Sequence, residues 1–424
     1  MGGGCERLAR RAGAWLAIPQ NRMSTVQPTR PSGALPTAAR PPAHWRTLSP
    51  MVHRAFRCRC ARPVFFGNTR CVSCDAELGY EPDSATVWPL EPIGDDGLYR
   101  LHDDDRGARY RRCANFGSAI VCSWLVDAGE AQRPAQCRSC RLNRTLPDLS
   151  QPDNQALWAR VERDKQRLVA SLIALGLPVA SRAVEDPERG LAFDLLRGTG
   201  AVAPVMTGHL DGVITLDIDE ADDARREAIR AKMHEPYRTV LGHVRHESGH
   251  YYWTRLVEHS EWLEPFRALF GDERTDYAEA LKRHHDSGPP AGWEQSFVSA
   301  YASSHPWEDW AETWAHYLHI LDTLDTALSF DVDAARSGLL RDPFGAGVLF
   351  RGGPPPREGD EPFFLALVNA WIELTGVLNE LSRSMGERDF YPFVLSDPAV
   401  TKLHLVHRVV HEAGRDAPRP STRA

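Results

Sequence analysis

His246-Glu247-Ser248-Gly249-His250 is a complete His-Glu-x-x-His run, inside a segment, Pro236–His259, whose pattern predicts a helix. One helical turn sets His246 and His250 on the same face, where two imidazole nitrogens can share a zinc ion at about 2.0–2.1 Å. Glu247 follows the first His directly, so its carboxylate can flank the metal and take a proton from an activated water without being a ligand. The chemistry implied is peptide-bond hydrolysis. A catalytic zinc needs a third protein ligand and an open fourth position. The stretch His305-Pro306-Trp307-Glu308-Asp309-Trp310-Ala311-Glu312-Thr313-Trp314-Ala315-His316 supplies a candidate, since Pro306 suits the first position of a helix. Helical spacing then separates Trp307, Trp310 and Trp314 from a face bearing Glu308, Glu312 and His316 at i, i+4 and i+8. Glu308 is the expected ligand, and Glu312 the expected acceptor that fixes the tautomer of a ligand imidazole. The competing readings are a solvated His/Glu surface and tryptophans that only build core.

Eight of the nine cysteines lie between Cys58 and Cys140. They form Cys58-x-Cys60, Cys71-x-x-Cys74, Cys113, Cys122 and Cys137-x-x-Cys140. Paired turns that each offer two thiolates are how zinc ribbons and knuckles are built. The simplest partition is two closed four-thiolate sites, Cys58/Cys60/Cys71/Cys74 and Cys113/Cys122/Cys137/Cys140; interleaved pairing and a disulfide framework are the alternatives. The expected metal content is one catalytic and two structural zinc ions. A closed site has no position for substrate, so this region reads as scaffold or recognition module.

The run Tyr237-Arg238-Thr239-Val240-Leu241-Gly242-His243-Val244-Arg245-His246-Glu247-Ser248-Gly249-His250-Tyr251-Tyr252-Trp253, with Glu308-Asp309-Trp310-Ala311-Glu312 after it, resembles the bacterial zinc-binding metallopeptidases that carry an N-terminal zinc-ribbon region. More distantly, the Glu-x-x-Ala-Glu pattern is similar to the gluzincins, which include thermolysin-like enzymes and the anthrax lethal factor catalytic domain. The resemblance runs from about residue 53 to about residue 408, through Leu378–Gly386 and Tyr391–Leu395. It implies a gluzincin-type zinc endopeptidase, and it names no substrate. It also implies a role for Tyr301. In the toxin a tyrosine seven residues before the ligand Glu stabilises the transition state, and Tyr301 stands seven before Glu308. A packing role for Tyr301 competes with that, and His305 and His316 are the next candidate oxyanion donors.

These residues must be positioned by a fold of the α+β class: a mostly helical, zincin-like peptidase domain over 151–412 behind a small β zinc-ribbon region over 51–150. Gln155–Leu175 and Ala221–Lys232 carry helical apolar periodicity. Val213–Ile218, after the Asp211-Gly212 turn, alternates as a strand. Such a strand ahead of the zinc helix would offer an edge for an extended peptide substrate. Phe363–Met385 reads as a long amphipathic helix too polar, at Asn369, Glu373, Asn379 and Glu380, to span a membrane. Residues 1–50 hold seven arginines and a single acidic residue, Glu6, and read as a disordered tail or a mis-assigned start, with an organellar transit peptide as the alternative. Residues 413–424 read as a second disordered tail.

The chain of 424 residues is 42% apolar with a net charge of −7, a balance that argues against a general nucleic-acid binder. Only Lys165, Lys232, Lys282 and Lys402 stand among fifty basic residues, so arginine abundance reflects coding bias more than a polyanion site. Free thiols point to a reducing compartment, and the expectation is a soluble cytoplasmic enzyme whose partners are a protein or peptide substrate and, through the ribbon, a protein. The competing function is a zinc-stabilised protein- or nucleic-acid-binding protein with an inactive peptidase-like domain.

Overall fold

The computed structural model describes residues 54–130, 134–198, 205–232, 235–332 and 344–414, all within one compact unit, His44–Ala424. The tail read over 1–50, and all but the first residues of the one read over 413–424, lie outside the described residues.

The cysteine-rich region is all β. A short hairpin, β1 (Phe56–Arg57) and β2 (Pro63–Val64), precedes an antiparallel meander of β3 (Leu78–Glu81), β4 (Thr86–Ile93), β5 (Leu98–Leu101), β6 (Tyr110–Arg112) and β7 (Leu125–Asp127), each paired with its chain neighbour. β8 (Asn143–Thr145) leaves this region, and α1 (Pro152–Ala174), which takes Pro152 in its first turn, follows. β9 (Ala192–Leu196), β10 (Gly208–Leu210) and β11 (Val213–Asp217) then join β8 in a mixed sheet of order β10-β11-β9-β8. Asp211 and Gly212 both have left-handed φ, 48° and 78°, the geometry of a two-residue hairpin turn that pairs Leu210 with Val213. β11 stops one residue short of the sequence reading, because Ile218 opens a 3-10 turn capped by the Asp217 carboxylate. Its half-buried alternation is also lost. β11 runs parallel to β9 as an interior strand, which buries both of its faces except at Thr215.

The helices follow: α2 (Asp223–Lys232), α3 (Val240–Leu256), α4 (Leu263–Phe270), α5 (Tyr277–Ser287), α6 (Pro306–Ser329), α7 (Asp360–Ser384) and α8 (Asp397–Ala413). α3 is shorter than the Pro236–His259 expected. The Thr239 hydroxyl accepts the Gly242 N–H at 2.9 Å and fixes the start of the helix, so Pro236–Arg238 stay outside it. α6 begins at Pro306, with His305 as N-cap accepting the Trp307 N–H through Nδ1 at 3.1 Å.

α3 and α6 pack against each other, and they approach closely at Gly249. A Cβ there would lie 2.9 Å from Ala311 Cα and 3.2 Å from Trp314 Cβ. Two indole N–H groups reinforce the crossing, Trp310 to the Gly249 carbonyl at 2.9 Å and Trp314 to the Ser248 hydroxyl at 3.1 Å. Lower on α6, Asp322 is buried among three guanidinium groups: Arg245 of α3 at 2.7 Å, Arg167 of α1 at 2.6 Å and Arg54 at 2.6 Å. Burial alone would raise its pKa, but the three cations hold it well below the usual carboxylate range. Arg54 precedes β1, so the charge cluster ties the cysteine-rich region to the helices. The hydrophobic core is likewise continuous from Phe56 to Val410.

Among the described residues α7 is the one helix long and apolar enough to cross a membrane, a test that core helices also pass. Its Phe363, Phe364, Leu367, Val368, Trp371 and Leu374 are buried in the common core.

Candidate active site

His246 and His250 project from α3 toward the first turn of α6, where Glu308 is buried. Glu308 Oε2 lies 3.0 Å from His246 Nε2 and 3.7 Å from His250 Nε2. Despite that proximity this oxygen takes no aligned hydrogen bond. Three potential ligand atoms within 4.8 Å of one another fit a shared cation, and two imidazoles with one carboxylate suit zinc.

The supporting contacts are directional. His246 Nδ1 lies 2.7 Å from Glu312 Oε1, and Glu312 Oε2 accepts the Ser299 hydroxyl at 2.6 Å. With Nδ1 turned to Glu312, Nε2 is the ring nitrogen that faces Glu308 and His250, the one a cation would take in place of a proton. Burial by itself would lower the His246 pKa, yet Glu308 and Glu312 outweigh it and hold it well above the ordinary value. Burial would raise the two carboxylates; His250 and His246 instead push Glu308 well below the usual range, and His246 chiefly brings Glu312 to about 2. Both carboxylates are therefore ionised at neutral pH.

Glu247 is nearly buried on the same helix, and its charge helps to raise the pKa of two tyrosines, Tyr277 and Tyr301, after burial and Glu308. Tyr301 lies in a 3-10 turn before α6, its ring centroid 6.0 Å from that of His246. His305 and His316 are differently employed. His305 caps α6 with Nδ1 and has Nε2 3.1 Å from the Thr275 carbonyl, while buried His316 has Nδ1 2.6 Å from the Tyr391 hydroxyl. Both rings are thereby engaged in contacts that hold α6 in place.

Three participants have no local signal in the sequence. Tyr277, the first residue of α5, donates its hydroxyl to Glu308 Oε1 at 2.6 Å and so leaves Oε2 to face the imidazoles. Ser299 anchors Glu312 while accepting the Ala302 N–H at 3.1 Å. His209 of edge strand β10 stacks near His250, centroids 6.4 Å apart, and burial lowers its pKa to about 4. Only the Asp276 cap ahead of Tyr277 is legible as a helix start.

The eight cysteines gather as Cys58/Cys60/Cys71/Cys74 and Cys113/Cys122/Cys137/Cys140, all as free thiols. Sulfur separations are 3.5 Å for Cys58–Cys74 and 3.8 Å for Cys60–Cys71, Cys122–Cys137 and Cys122–Cys140. A tetrahedron with Zn–S arms of about 2.3 Å has edges of about 3.8 Å. The second group is fully buried and leans on α1, whose Gln166 amide donates to Cys122 Sγ at 3.4 Å.

Comparison with known proteins agrees with both regions. A family described as "Putative zinc-binding metallo-peptidase" matches residues 154–409, and a zinc-ribbon domain family matches residues 55–151. Proteins of Mycobacterium tuberculosis and Mycobacterium bovis, each named as uncharacterized, are 42% identical to this chain over 365 residues, spanning 86% of it and 97% of their own length. No solved structure matches.

Proposed function

The chain belongs to this zinc-binding metallo-peptidase family with an N-terminal zinc ribbon, and from that premise we propose that it is a zinc-dependent endopeptidase of the gluzincin type on a zincin-like fold. The observation that carries the reading is the convergence of His246 Nε2, His250 Nε2 and Glu308 Oε2, with His246 backed by Glu312. These three side chains would hold the catalytic ion, and the eight cysteines two structural ones. When bound, zinc supplies a Lewis acid that polarises the scissile carbonyl and makes water acidic enough to attack.

The chain's own groups do the rest. Glu247 takes the proton of the attacking water and delivers it to the leaving amine. The Tyr301 hydroxyl, kept protonated by burial and by the surrounding carboxylates, donates to the developing oxyanion. Glu312 and Ser299 hold His246 in the tautomer that leaves Nε2 free, and Tyr277 orients Glu308. Among the described residues β10 is the edge strand beside α3, so its outer backbone groups would pair with an extended substrate. The free cysteine thiols favour a reducing, cytoplasmic setting.

One observation supports the alternative of a zinc-stabilised binding protein. A cleft of about 520 Å³ beside the five-stranded meander combines apolar walls, among them Tyr110, Leu125, Val126 and Val179, with the paired charges of Arg138, Arg141, Asp83 and Glu130, a lining that would suit a protein segment. The two readings separate in one experiment: identify protein ends generated in cells carrying the native chain or Glu247→Gln. Ends lost in the variant support the peptidase; identical end sets sink it and leave the binding protein.

A further inference from the structure

The pairing of an i, i+4 histidine couple with a carboxylate from the first turn of another helix occurs twice among the described residues. α8 presents His407 and His411 one turn apart, with ring centroids 3.9 Å from each other, and Asp360 is the first residue of α7. Asp360 Oδ1 lies 3.4 Å from His411 Nδ1, while Oδ2 accepts the Arg357 N–H at 3.1 Å. One ligand atom from each of the three residues falls within 4.8 Å of the others.

The second observation is an orphaned atom. His407 is fully buried; Nδ1 lies 2.9 Å from the Tyr317 hydroxyl, and Nε2 has no hydrogen-bond partner among the described residues. Buried polar atoms without a partner are rare, because the lost solvation is not returned. A cation at Nε2 would return it. Nδ1–H would then donate to the Tyr317 oxygen, the same arrangement of outer acceptor and inner lone pair that Glu312 gives His246.

Neighbouring charge does not forbid this. Arg408 and Arg357 share a small cleft with Asp360, but the same cleft carries Glu412, and the Arg408 guanidinium is turned to the carbonyls of Gly352 at 2.7 Å and Pro354. The side chains of Asp360 and His411 are 15% and 12% exposed, which leaves an entry path for an ion and for water as a further ligand.

We infer that Asp360, His407 and His411 form an additional site for a divalent transition ion of the zinc class, one that clips the start of α7 to α8 and, through Tyr317, to α6. Two imidazoles and one carboxylate prefer zinc, cobalt or nickel to magnesium or calcium. The site is separate from His246, His250 and Glu308, and nothing in the proposed hydrolysis uses it.

The test uses the full chain carrying His246→Ala and His250→Ala, so that the first imidazole site is gone. Saturation with zinc chloride, removal of free ion and elemental analysis should give one equivalent more than in the same chain further carrying His411→Ala or Asp360→Asn. Added zinc should raise the Tm of the parent and leave both variants unmoved. Equal zinc counts in the three chains overturn the site, and loss in His411→Ala with full retention in Asp360→Asn overturns the three-ligand assignment. Two partly exposed positions are varied so that a folding failure in one leaves the other to decide.

Discussion

The buried sulfur cluster of Cys113, Cys122, Cys137 and Cys140 and the imidazole–carboxylate cluster of His246, His250 and Glu308 differ in closure. The first offers four donors, none more than 2% exposed, braced by the Cys137 and Cys140 backbone N–H groups and by Gln166. The second offers three, with the His246 and His250 side chains 12% and 17% exposed, braced by carboxylates and hydroxyls that stand outside it. A closed shell leaves an ion nothing to do except hold chain segments together, whereas a three-sided one leaves it a face for reacting atoms.

If that contrast is right, removing a donor should cost the two regions different things. Cys113→Ser combined with Cys140→Ser takes away an ion whose binding in small zinc modules is worth about 10–16 kcal/mol, comparable to the whole stability of a domain. The doubly substituted chain should lose its cooperative thermal transition. His246→Ala should lose its zinc yet keep a sharp melt, and a sharp melt in both would erase the distinction. Within the imidazole site, Glu247→Gln should retain zinc and Tm while kcat falls by about 10²–10⁴-fold, since the amide keeps the shape but accepts no proton. Retained turnover would remove Glu247 from the chemistry.

A third comparison sets charge against metal as the bond between regions. Asp322→Asn leaves the buried guanidinium groups of Arg54 and Arg245, and the partly exposed one of Arg167, facing a neutral amide, and breaking a buried pair of this kind costs about 3–5 kcal/mol. Urea unfolding should show that loss with the zinc content unchanged; a change under about 1 kcal/mol would mean that the common core alone joins the regions. Smaller again is Tyr301→Phe, expected to lower kcat by about 10–1000-fold with little change in KM, zinc or Tm. A lowered Tm with full kcat would return Tyr301 to packing. Smallest is Glu312→Gln, which should weaken zinc affinity by about 10–100-fold in competition with a chelator. Should Glu308→Ala keep the ion and Glu312→Ala lose it, the roles given to the two carboxylates must be exchanged.

Local spacing carried a good deal of this. His246 and His250 share a face because any helix repeats every 3.6 residues or so, Pro306 opens α6 because its missing N–H costs nothing at a first turn, and Asp211-Gly212 turns the chain because both tolerate positive φ. The pairing of Cys-x-x-Cys turns is legible for the same reason. Exact ends were not, since the Thr239 cap and the interior position of β11 depend on neighbours that periodicity does not see.

What only the tertiary structure decided lies between residues far apart in the chain. Tyr277 reaches Glu308 across 31 positions, Glu312 reaches His246 across 66, and Arg54 reaches Asp322 across 268. A single sequence holds no signal for such contacts, because they depend on how helices cross, and that crossing is set by the fit of Gly249 against Ala311 and of Trp310 and Trp314 against α3. Residue types therefore determined which atoms could bind an ion or move a proton, and packing determined which of them meet.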